Sequence, residues 1–152
     1  MVPAECAGNV QELCAVKYET TTTWWDFVLC QNSYGRYKVG EPEVTLQCAE
    51  KAGIDWLNGS AGRCAGTSRS EWAKGDEGIE LLKESVVQTQ GLGIVNSCTV
   101  VIAGKKVCVR DETWKDCEGG HTSDDFVRQI EKEFARRNNV EVEVSEDDWV
   151  LV

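Results

Sequence analysis

Eight cysteines spread along 152 residues constrain this chain more than any other feature: Cys6, Cys14, Cys30, Cys48, Cys64, Cys98, Cys108 and Cys117. A zinc ribbon or finger needs a C-x2-C or C-x4-C pair, and none is present. The single histidine, His121, follows Cys117 by four residues and makes a poor start for a metal site. No metal and no cofactor is therefore expected. Scattered thiols in a chain able to build a core read as half-cystines from an oxidising compartment. The opening MVPAECAGNVQELC, however, holds no basic stretch followed by an apolar block, so no signal peptide is read in this chain. Either the chain begins short of its natural start or its cysteines are reduced.

A chain of this length fits one domain and buries about 70% of its unfolded surface. Its hydrophobic fraction of 41% and charged fraction of 28% are those of a globular protein. With 26 acidic against 16 basic residues the net charge is −10, which argues against nucleic acid as a partner. No run of about 18 apolar residues exists, so no membrane span is expected. Residues 140–152 hold five carboxylates and no Lys or Arg. They read as an acidic tail or an added edge strand beside a domain of residues 1–139. The oligomeric state is left open.

Helical periodicity runs through the first two thirds. Residues 4–17 place Cys6, Val10, Leu13 and Cys14 on one face, with Gln11 and Glu12 on the wet side. Residues about 21–33 begin with a run of threonines able to cap. Glu41-Pro42 opens a third helix with proline in its first turn. Residues 54–66 read as a short fourth helix around Trp56, and 67–71 as a loop. Residues 76–90 carry Ile79, Leu82 and Val86 as a stripe. The period then changes: Ser97–Ile102 and Val107–Arg110 flank Ala103-Gly104-Lys105-Lys106, a hairpin. Thr122 or Ser123 caps a last helix with Phe126, Val127, Ile130 and Phe134 inward, closing on Arg136 and Arg137 where the helix dipole favours cations. Residues 140–144 alternate like a strand. Cys108 and Cys117 flank the turn from hairpin to helix at a spacing that closes a small loop, so they are predicted to come within disulfide reach.

Residues Glu5, Cys6, Asn9 and Cys14 form the pattern E-C-x2-N-x4-C. This resembles the second half of the signature of the GILT family, the gamma-interferon-inducible lysosomal thiol reductases, whose full pattern reads C-Q-H-G-x2-E-C-x2-N-x4-C. Here Met1-Val2 stand where His-Gly would be. Gly75-Asp76-Glu77-Gly78-Ile79-Glu80-Leu81 with Thr89 looks like the family's helix start, and Val100–Lys105 like the strand and glycine turn after it. Ser97–Val100, Arg110-Asp111 and Trp114–Cys117 resemble fungal members.

The resemblance implies an α/β fold: thioredoxin-like with a helical insertion, helix-rich, with a small hairpin sheet. It implies a thiol–disulfide oxidoreductase that reduces disulfide-bonded protein substrates in a secreted, lysosomal or vacuolar setting. The family's active dithiol lies upstream of the signature, so the first strand and the dithiol-bearing helix are expected to be missing here and the chain to be inactive. Whether it is an enzyme is thus open. The alternative is a non-catalytic, disulfide-stabilised helical binding domain on the same scaffold. The cis-proline usual in thioredoxin folds has no counterpart either, the prolines being Pro3 and Pro42, with Ser97-Cys98 in its expected place. Cys6 and Cys14, about 12 Å apart along a straight helix, are too distant to bond each other and read as structural. Cys98 reads either as a residual reactive thiol or as a half-cystine. Asn58-Gly59-Ser60 is a glycosylation sequon.

Overall fold

The computed structural model describes residues 3–66, 75–96 and 98–139. The chain is helix-rich with one small antiparallel sheet: α1 (Pro3–Tyr18), α2 (Thr21–Ser33), α3 (Pro42–Ala52), α4 (Ser60–Ala65), α5 (Asp76–Gly91), β1 (Thr99–Ile102), β2 (Lys105–Asp111), β3 (Thr113–Lys115) and α6 (Ser123–Asn138). It divides into two compact units, Met1–Gln88 and Thr89–Val152. The loop at 67–71, Ser97, Trp72 and the alternating acidic segment from Val140 onward lie outside the described residues.

In the first unit, local chemistry sets the helix ends. The Thr20 hydroxyl accepts from the Thr23 amide at 3.2 Å and caps α2. Pro42 occupies the first turn of α3, where its missing N–H leaves no bond unmade. Gly53, left-handed at φ 77°, closes that helix. α4 is shorter than the 54–66 reading. The Asp55 carboxylate accepts from the Asn58 amide at 3.1 Å and holds a turn there instead of helix. Ile54 and Trp56 nevertheless enter the core, with Trp56 stacked on Phe27 at 5.1 Å between ring centroids. A Cβ at position 62 would lie 1.6 Å from the Trp56 carbonyl oxygen, so only glycine fits where α4 meets that turn.

The buried face of α1 is Ala7, Val10, Gln11, Cys14 and Ala15. This corrects the sequence reading, which put Gln11 in water and Cys6 and Leu13 inward; both of the latter are only half-buried. Gln11 is fully enclosed, with both the nitrogen and the oxygen of its amide hydrogen-bonded. Its Nε2 donates to the Gly40 carbonyl at 3.1 Å. Its Oε1 accepts from Gln31 Nε2 at 3.2 Å and from Thr45 Oγ1 at 2.7 Å. A buried amide with its partners in place costs little, so polarity alone does not predict its side of a helix.

In the second unit, β1, β2 and β3 pair antiparallel in that order. Thr99 lies opposite Val109 and Ile102 opposite Lys105, with an irregularity between Val100 and Val101. The hairpin turn places Ala103 at φ 53° and Gly104 at φ 81°, both positive, as a two-residue turn matched to strand twist requires. β3 was not legible in the sequence; it returns over Glu112 and pairs Asp111 with Thr113. Thr122 is the cap of α6, in a reciprocal box: its hydroxyl accepts from the Asp125 amide at 3.2 Å, and Asp125 Oδ2 accepts from the Thr122 amide at 2.9 Å. The reading of an inward α6 stripe is corrected. Phe126 is half-buried with its ring 5.9 Å from Trp114, but Val127, Ile130 and Phe134 are 50%, 54% and 63% exposed. Val86 on α5 is likewise exposed.

Glu133 receives Arg136 Nη2 at 2.6 Å and Arg137 Nε at 3.0 Å. Hydrogen bonds from Arg136 and then Arg137 lower its carboxyl from 4.5 to about 2. A depressed carboxylate contributes stability above its unfolded value and loses it as pH falls through the folded one. In a carbon-detected NMR titration, Glu133 is expected to titrate near the bottom of the accessible range. Arg136→Ala with Arg137→Ala should return it toward 4.5. A wild-type midpoint already near 4.5 would refute the pairing.

Candidate functional site

α1 carries all four residues of the E-C-x2-N-x4-C pattern, and the fold separates them. Glu5 and Asn9 are exposed, Cys6 is half-buried, and Cys14 is fully buried. Cys14 is bonded to Cys64 on α4, with the Cα atoms 5.7 Å apart. α5 closes over this bond at Gly78: a Cβ there would stand 2.5 Å from Val10 Cγ1 and 3.0 Å from Cys14 Sγ. Burial raises the carboxyl of neighbouring Glu12 above its usual range.

Two further disulfides staple neighbouring elements. Cys30 on α2 is bonded to Cys48 on α3, Cα to Cα 5.4 Å. Cys108 on β2 is bonded to Cys117 ahead of α6, at 4.3 Å. The Cys14–Cys64 and Cys30–Cys48 pairings were not read from the sequence. The available signal was that Cys30 and Cys48 sit on the apolar faces of consecutive helices; spacing alone distinguishes no partner.

Cys98 is exposed and in no disulfide. It precedes β1 at a left-handed φ of 60°, and its carbonyl accepts from the Arg110 amide at 2.9 Å. Beside it is an open pocket of about 350 Å³ walled by Thr89, Ile94, Val95, Asn96 and Thr99. A lone thiol there can attack a disulfide and form a mixed disulfide. Releasing the product needs a second thiol, and the pocket wall contains none.

Asn58 is exposed in the turn before α4, its Nδ2 donating to Asp55 Oδ1 at 3.3 Å. His121 is exposed with its ring stacked on Trp114 at 5.3 Å. Among the described residues, no group of three His, Cys, Asp or Glu side chains is arranged to hold a metal ion. No described helix is long and apolar enough to cross a membrane.

Residues 2–52 match the family model described as gamma interferon inducible lysosomal thiol reductase (GILT). The matched stretch runs from α1 to the end of α3 and includes Cys14 and the Cys30–Cys48 bond. The later resemblances, from Gly75 to Cys117, fall outside it. No match was found among curated proteins or among solved structures.

Proposed function

We propose, on the premise that this chain is a member of the GILT family through residues 2–52, that it belongs to a thiol–disulfide oxidoreductase system acting on protein disulfides and forms its disulfide-stapled scaffold. In this reading the fold is thioredoxin-like with a helical insertion, the setting is a secretory, lysosomal or vacuolar lumen, and the chain alone turns over no substrate. The observation that carries it is the state of the cysteines. Six of the eight are held in three disulfides, and the described wall of the pocket beside Cys98 holds no second thiol. Reductase turnover needs one thiolate to attack and a neighbouring thiol to resolve the mixed disulfide. The same observation supports a second reading, a non-catalytic binding domain that kept the scaffold.

The test is reduction of a fluorogenic protein disulfide at neutral and acidic pH. The chain should not exceed the background of an equal concentration of free thiol, and Cys98→Ser should change little. Robust turnover abolished by Cys98→Ser would make Cys98 a working nucleophile and overturn this reading. A lumenal setting also makes Asn58 the glycan acceptor, since its side chain is exposed in a turn. Material secreted from a eukaryotic host should lose one glycan mass on Asn58→Gln; an unglycosylated wild type would contradict it.

A further inference from the structure

α6 presents an apolar stripe that none of the described residues of its own unit covers. Val127, Ile130 and Phe134, at i, i+3 and i+7, are each at least half exposed. Beside them an open groove of about 340 Å³ runs between β1 and α6, walled by Ile102, Ala103, Ile130, Glu133, Phe134 and Arg137. Isolated exposed apolar residues are ordinary, but a stripe continuous with a groove marks a contact surface.

The charges on the same helix identify its occupant. The first turn holds Asp124 and Asp125, and the last holds Arg136 and Arg137. Over the whole of α6, four acidic residues (Asp124, Asp125, Glu131, Glu133) balance four basic ones (Arg128, Lys132, Arg136, Arg137). The chain as a whole carries −10, and α6 is a locally neutral surface on which two copies can meet without setting like charges face to face. We infer that α6 is the interface of a homodimer in which two copies of the helix pack antiparallel about a two-fold axis near Ile130. The arrangement is self-complementary, as an isologous contact must be. Val127 comes level with the partner's Phe134 and faces the groove beside it. Each acidic first turn lies toward the partner's basic last turn, and the two helix dipoles oppose. Ile130 meets its own counterpart at the centre.

The experiment is sedimentation velocity with multi-angle light scattering on the full chain from 1 to about 200 µM, a range spanning ordinary weak dimers. The wild type should show a monomer–dimer equilibrium. Ile130→Glu, at an exposed position where folding tolerates it, sets like charges on the axis and should raise the dimer dissociation constant at least tenfold with unchanged circular dichroism. Val95→Glu, at a 91% exposed apolar residue off this face, should leave the equilibrium unchanged. A monomer throughout would overturn the proposal. So would a dimer indifferent to Ile130→Glu, equal sensitivity to Val95→Glu, or a mass that keeps growing past the dimer.

Discussion

Replacing Cys14 and Cys64 together by alanine is expected to lower the unfolding free energy by roughly 4 kcal/mol, the largest loss among the three disulfides. The bond closes a sequence separation of 50 residues. On the chain-entropy account, a loop of that length restricts the unfolded ensemble by about 4 kcal/mol. The Cys30–Cys48 and Cys108–Cys117 bonds close separations of 18 and 9; the same account gives about 3 and about 2.5 kcal/mol. Total stabilities run to about 5–15 kcal/mol, so the first loss alone removes a large share. It should appear as a drop of roughly 8–16 °C in melting temperature. Differential scanning calorimetry of the three double-alanine variants should rank them in loop-length order. A drop under about 5 °C for the longest loop would mean that the unfolded chain is already held compact by other contacts.

The second large effect is Val10→Asp, expected to cost about 4 kcal/mol at neutral pH. Val10 is 1% exposed, and its Cγ1 closes on the glycine at position 78 beside the Cys14–Cys64 bond. A carboxylate there would be set against Gly78 and the Cys14–Cys64 bond and would pay its desolvation. Val10→Ala removes two methyl groups without adding charge and should cost only about 2 kcal/mol. Urea denaturation of both variants separates cavity from charge. Equal midpoints would show that water reaches α1, and a wild-type midpoint in Val10→Asp would make that helix peripheral to the core.

Both predictions concern α1, where the sequence was half legible. The period of its apolar residues located the helix and put Val10 and Cys14 inside. It missed by about one position which way the face turns, because Gln11 is buried by groups at Gln31, Gly40 and Thr45. Those partners lie too far along the chain for any local pattern to announce them. The signature residues were legible as a motif and not as a site. Cys14 is a covalent staple, while Glu5 and Asn9 are exposed. Cys98 was readable as a thiol, but its exposure and the pocket beside it come from the turn that precedes β1.

What the sequence determined by itself is what neighbours decide. Thr20, Pro42, Gly53 and Thr122 set helix ends through hydrogen bonds and backbone angles reaching no more than four residues. Ala103-Gly104 sets the hairpin because the turn asks only for two positive φ angles. Tertiary structure alone decided the pairing of cysteines, the burial of Gln11 and the exposure of Val127, Ile130 and Phe134. Periodicity records that a helix has an apolar side; whether anything lies opposite that side depends on where the rest of the chain folds, and among the described residues that stripe of α6 stays exposed.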